Sequence, residues 1–227
     1  MRNAMHFTIT LAEFLSSVHV EGGSTMSAFL GPIHYWLYNK IQQQQAIVDE
    51  LYVLGAKNTL SLEAECNNLF GTFENKPLDE MIDHGNIHGW LQERVSQVEY
   101  KYAYCITKLL EKNPELKAAI TDIVAGNAKN LAASFQEESL DAVGIFKVIE
   151  DNLLDGMPCD HANRLLDKSS DKVTWIRTLC VHSNYWAEVG GDIQIYYELR
   201  DAWINALTKE LGFNFEKTED ATYSIIA

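Results

Sequence analysis

Two stretches carry the same residues in the same order. They are Gly31-Pro32-Ile33-His34-Tyr35-Trp36-Leu37 and Gly85-Asn86-Ile87-His88-Gly89-Trp90-Leu91, 54 residues apart. Glycine, isoleucine, histidine, tryptophan and leucine recur in register, and Lys40-Ile41 answers to Arg94-Val95. Five identities in seven, two of them rare residue types, point to a repeated unit. Each copy opens a helix. Pro32 suits the first turn, where its missing N–H leaves nothing unpaired. After it, Ile33, Trp36, Leu37, Ile41, Ile47, Val48 and Leu51 fall at helical spacing. The second copy continues through Val95, Val98, Tyr102, Cys105, Ile106 and Leu109 and stops near Asn113-Pro114.

Outward from these helices, a further helix is expected over Glu115 to Phe135. Thr72-Phe73-Glu74 before Leu78-Asp79 weakly echoes Ser134-Phe135-Gln136 before Leu140-Asp141. Each unit therefore reads as a long helix, a second helix and a short helix carrying Leu-Asp, with units over about 31–84 and 85–155. Asp155-Gly156 is a turn signal that closes the second unit. Gly156-Met157-Pro158-Cys159 aligns on the glycine as a degenerate third copy, which puts Cys159 at the histidine position. The spacing predicts a short helix from there through Arg164 and Leu166.

The remainder, 156–227, changes character. Val173, Trp175, Leu179 and Val181 alternate with Thr174, Ile176, Thr178, Cys180 and His182, which predicts a strand over Lys172 to His182. Asp192 to Leu211 reads as a helix, with Asp192 as its cap and Gly212 as its stop. Phe213–Phe215 and Thr222–Ile226 read as strands around Glu219-Asp220. The expected fold is mainly α: a helical bundle built from a duplicated helical unit, with a small C-terminal β-sheet of two or three strands, an α+β class.

Composition limits the function classes. The 227 residues are 47% hydrophobic and 22% charged, enough apolar material for a packed domain. A net charge of −14 argues against nucleic acid as a partner. No apolar run approaches a membrane span, and four cysteines do not make a disulfide scaffold. The cytoplasm is the expected location, and homo-oligomer formation is left open. Residues 1–25 read as a non-native leader or arm. They hold one positive charge and no cleavage site, and Glu21-Gly22-Gly23, whose codons can spell a ribosome-binding sequence, precedes Ser24, Thr25 and Met26. The domain is expected over 26–227.

His34, His88 and Cys159 are the candidate site residues. Equivalent positions in a duplicated unit can converge on a pseudo-twofold axis. Two histidines and a cysteine at helix N-termini would then bind a transition metal, a haem or a small anionic ligand. Alternatively, Cys159 is the nucleophile of a hydrolase or transferase, activated at a helix N-terminus with His88, His34 or His161 as base. A third reading is a non-catalytic interaction protein whose histidines only pack. Cys159-x-His161 and Cys180-x-His182 are a poorer fit to a zinc site, because one intervening residue is shorter than the usual spacing. Glu-x-x-His, His-Glu-x-x-His, phosphate-loop, Gly-x-Gly-x-x-Gly and Gly-x-Ser-x-Gly motifs are absent. The aromatics Tyr185, Trp186, Tyr196, Tyr197 and Trp203 read as core, and Gln42 to Gln45 as a solvated helix face.

Overall fold

The computed structural model describes residues 30–74, 76–218 and 221–227. The leader assigned to 1–25 and the Glu219-Asp220 turn lie outside the described residues. Eight helices and four strands occur in order among the described residues. They are α1 (Pro32–Lys57), α2 (Leu62–Phe70), α3 (Leu78–Met81), α4 (Ile87–Lys112), α5 (Leu116–Ala133), α6 (Ala142–Asn152), a 3-10 turn (Pro158–Asp160), β1 (Asn163–Lys168), β2 (Lys172–Arg177), α7 (Ser183–Glu188), α8 (Ile193–Glu210), β3 (Asn214–Lys217) and β4 (Thr222–Ile226). The fold is mostly helical with a small C-terminal antiparallel sheet, an α+β class.

Helices α1 and α4 form the spine. Each has 26 residues. They run parallel and side by side: the His34 and His88 rings meet at one end, and Tyr52 lies beside Cys66 and Cys105 near the other. The pairing buries their apolar stripes, Leu37, Ile41, Val48 and Leu51 on α1 and Leu91, Val95, Val98, Ile106 and Leu109 on α4. The two starts differ by one residue. Asn86 caps α4 by accepting from the Gly89 N–H at 3.0 Å. Its counterpart Pro32 has no polar side chain, so α1 begins one residue earlier and His34 Nδ1 accepts from the Gly31 N–H at 2.9 Å.

The likeness of the two units lies in these long helices. The helices after them differ in length, nine and four residues in α2 and α3 against eighteen and eleven in α5 and α6. The structure does not carry an equivalence of whole units. The Leu-Asp pairs also differ in position, since Leu78-Asp79 opens α3 whereas Asp141 caps α6 by accepting from the Gly144 N–H at 2.8 Å.

Several expectations are corrected. The short helix expected from Gly156 through Arg164 and Leu166 does not form; a single 3-10 turn leads into β1, which occupies that stretch. That strand is an edge with one neighbour and almost no buried side chain, so its sequence carries no stripe; pairing with β2 determines it. The sheet thus has four strands, in the order β1-β2-β4-β3. The strand expected over Lys172–His182 ends at Arg177, and Leu179 is exposed. Ile33, placed on the α1 stripe, is exposed as well. Gln44 and Gln45 are buried, because α1 touches α2, α4, α5 and α6 and has little free face; Gln45 donates to Asp49 at 2.7 Å.

The sheet's inner face packs on α6. Trp175 pairs in register with Tyr223, and Val173 with Ile225. The Phe146 ring of α6 sits 5.0 Å from that of Trp175. Trp186, Tyr196, Tyr197 and Trp203 are core residues, with Tyr185 partly exposed.

Candidate functional site

The repeat singles out His34, His88 and Cys159. The structure brings the two histidines together at the N-terminal ends of α1 and α4, edge to face, with ring centres 5.5 Å apart. His34 is buried and its Nδ1 is committed to the Gly31 N–H. Burial lowers its pKa, and the nearby His88 lowers it further. The neutral ring thus leaves Nε2 as the atom free for another contact. Cys159 is exposed on the 3-10 turn, and among the described residues no hydrogen bond joins it to His34, His88 or His161. Among the described residues, no group of three or more His, Cys, Asp and Glu side chains is placed to hold a metal ion. The two imidazoles are therefore an incomplete donor set for a metal.

Further along the α1–α4 seam, Tyr38 stands one turn after His34 and Trp90 two residues after His88, and their ring centres are 6.0 Å apart. They floor a cleft of about 260 Å³, walled by Thr72, Phe73, Glu74 and Lys76 of the chain after α2, by Glu80 and Met81, and by Arg94. The Tyr38 hydroxyl donates to the Lys76 carbonyl at 3.2 Å and ties that segment to α1. Arg94 stands at i+4 from Trp90, its guanidinium carbon 5.3 Å from the ring centre. Its nearest carboxylate, Glu93, is 3.5 Å away, beyond a good hydrogen bond. Its Nε is buried with no hydrogen-bond partner among the described residues.

On the other side of α1, Lys40 stands at i+4 from Trp36, with Nζ 3.7 Å from the ring centre. The indole N–H of Trp36 donates to Asp151 at 2.8 Å, which fixes the ring against α6. Lys40, Trp36, Glu150, Asp155, His161 and Asn163 line a second cleft, of about 160 Å³. Burial lowers the Lys40 pKa to about 8, although Asp155, Glu150 and Asp151 pull it upward.

Behind this second cleft lies a buried ion network. His182, the N-cap residue of α7, is 2% exposed, and its Nδ1 is 3.0 Å from Glu99 Oε2 of α4. Its Nε2 faces Asp155 at 3.6 Å, and its ring stacks on Tyr196 with centres 3.9 Å apart. Arg200 of α8 donates to both Asp155 oxygens, at 2.9 and 3.4 Å, and Asn163 donates to Asp155 at 2.8 Å. Burial alone would lower the His182 pKa, but the Glu99 and Asp155 charges outweigh it and raise it to about 9. Burial would likewise raise Asp155, yet Arg200 and then His182 hold its carboxyl well below the usual range. Two cations and two anions thus close a charge-balanced knot between α4, α7, α8 and the chain after α6.

The pairing of His182 with Cys180 as zinc ligands is not what the fold builds, since both ring nitrogens face carboxylates. Sequence patterns do not single out Glu99, Asp155, Lys40, Arg94 and Arg200 as site residues. For Lys40 and Arg94 a signal is present: a basic residue one turn after each repeated tryptophan, on the edge of a buried stripe. For the others there is none, since the network joins residues from four distant segments. Among the described residues no helix is long and apolar enough to cross a membrane. No protein-family model matches the chain, and no curated protein or solved structure matches it.

Proposed function

We propose that the protein binds a small anionic ligand with an aromatic or apolar body in the cleft between Tyr38, Trp90, Arg94 and Lys76. The observation that carries this reading is Arg94. Its guanidinium lies on Trp90 at the wall of a 260 Å³ cleft, and its buried Nε has no hydrogen-bond partner among the described residues. A desolvated donor left unpaired is costly, and a carboxylate or phosphate oxygen satisfies it with a charge-assisted hydrogen bond. Lys76 adds a second cation that a ligand can draw from Glu74, its exposed partner at 2.5 Å. Tyr38, Phe73 and Trp90 supply contact area for the body. Glu74 and Glu80 at the rim disfavour a highly charged ligand, so a monoanion fits best. The His34–His88 pair, one turn away, then holds the ends of the two helices that form the floor.

The test is titration of the full chain with benzoate and phenyl phosphate, read by tryptophan fluorescence and melting temperature. Saturable binding is expected, and ligand at about 100 times Kd raises stability by about 2.7 kcal/mol. Arg94→Gln removes the effect while its far-ultraviolet circular dichroism stays native. Equal binding by Arg94→Gln, or no response to either anion, overturns the reading.

A further inference from the structure

The geometry points to Lys40 as a nucleophilic amine that captures a small uncharged aldehyde or ketone as an imine in the cleft between α1, α6 and the 155–163 segment. This does not depend on the anion cleft, which opens on another face of α1.

Four observations carry it. Lys40 is 5% exposed, unusual for a lysine, and yet its side chain lines an open cleft of about 160 Å³. Among the described residues, no hydrogen bond and no ion pair holds its Nζ. Instead the nitrogen rests on the face of Trp36, whose ring is pinned by Asp151. The cleft is of a size to admit a molecule of a few heavy atoms, and Trp36 gives it an apolar wall. Finally, the charges around it select against anions. Glu150, Asp151 and Asp155 flank the amine, and the nearby Arg200 is already bidentate on Asp155. A keto acid would bring a fourth negative charge to that place, whereas a neutral carbonyl would not.

The chemistry balances without any further reactant. The neutral amine's lone pair adds to the carbonyl carbon, and the carbonyl oxygen takes up a proton while the nitrogen loses one, giving a carbinolamine. That hydroxyl then leaves with a proton as water while the nitrogen lone pair forms the C=N bond, and the iminium nitrogen gives up its remaining proton, which replaces the one carried off in water. Lysine amine and carbonyl compound thus become imine and water. The requirement on the protein is a free amine near neutral pH, which burial of Lys40 favours. The carboxyl group of Glu150 lines the cleft, and burial raises its pKa, so it can relay the protons.

The experiment uses the full chain at pH 7 with limiting propanal and cyanoborohydride, which fixes imines as stable secondary amines. Modified sites are mapped by mass spectrometry, with exposed Lys147 and Lys168 as internal controls. Lys40 is expected to be labelled at least about tenfold faster than the controls, since each pKa unit is a tenfold change in free amine. Glyoxylate, an anionic aldehyde, should lose that advantage at Lys40. Lys40→Arg, which keeps the charge over Trp36, should abolish the fast phase. Labelling of Lys40 no faster than Lys147 overturns the proposal, and that comparison needs only the unmodified protein. A preference of Lys40 for glyoxylate over propanal also overturns it.

Discussion

His182 shows how one side chain ties stability to pH. Its folded pKa is raised to about 9 from an ordinary 6.5. A raised histidine contributes stability that is fully present below 6.5 and lost as pH climbs through 9. Asp155 acts at the other end. Its depressed pKa contributes stability present above 3.8 and lost as the medium becomes more acid. Stability is therefore expected to peak between about pH 5 and 6.5. Between 6.5 and 8, below the titration of Lys40, the decline belongs to His182. The full shift corresponds to about 3 kcal/mol. Urea midpoints measured across this window should fall in the native protein and stay flat in His182→Asn, whose overall stability is lower by about 3–5 kcal/mol because Glu99 and Asp155 lose a buried partner. A native profile as flat as the variant's would refute the charge-balanced network.

Gly156 supplies a second residue-scale expectation. Its φ is +77°, and a Cβ there would stand 2.5 Å from Asp160 Oδ2 and 3.2 Å from Val181. The Met157 N–H donates to that same Asp160 oxygen at 2.7 Å, so the carboxylate cannot simply swing away. Gly156→Ala should thus destabilise by about 1–3 kcal/mol and loosen the turn that places Asp155. Calorimetric melting decides it; an unchanged melting temperature would mean the turn accommodates a side chain.

Among the elements, the paired helices α1 and α4 are the most legible part of the sequence. Their starts, the end of α4 near Asn113 and most of their stripes can be read from Pro32, Asn86 and the spacing of Leu37, Ile41, Leu91 and Val95, because long amphipathic helices are specified locally. The cap at Asp192 is legible for the same reason, and it accepts from the Gln194 N–H at 2.9 Å. β1 is not legible, since Arg164, Leu165 and Leu166 are exposed and only its neighbour β2 makes it a strand. The repeat does locate the His34–His88 contact, but it extends wrongly to Gly156, where one glycine is too thin a match to predict a helix. The two tryptophans carry the element-scale test. Both are half-buried, so alanine should cost less than the roughly 3–5 kcal/mol of a fully buried ring. Trp36→Ala should cost more than Trp90→Ala, by about 1 kcal/mol, because it also removes the hydrogen bond to Asp151. Urea denaturation of both variants orders them, and a larger loss at Trp90 would contradict that account.

At the scale of the molecule, the last strand made is an inner one. β4 lies between β2 and β3, and β3 pairs only with β4. Tyr223 and Ile225 of β4 are 1% and 0% exposed, and they cover Trp175 and Val173 on the face that meets α6. The core thus cannot close until residues 222–226 are in place, and closure depends on contacts far apart in sequence. The helical spine does not need residues 222–227: His34 and His88 join α1 to α4, and α2 and α4 share the buried Cys66–Cys105 contact at 3.6 Å. Deleting 222–227 removes the strand that pairs with β3, leaves Trp175 and Val173 without their cross-strand cover and takes away part of the sheet packed on α6. Exposure of the sheet's inner face is expected to abolish cooperative melting while much of the far-ultraviolet helical signal persists, the pattern of a compact chain without fixed packing. Near-ultraviolet circular dichroism and calorimetry distinguish the outcomes. A truncated chain that still melts in one sharp transition within about 5 °C of the full protein, a shift worth about 2 kcal/mol or less at this size, would show that the sheet is an appendage and that the helices alone make the domain.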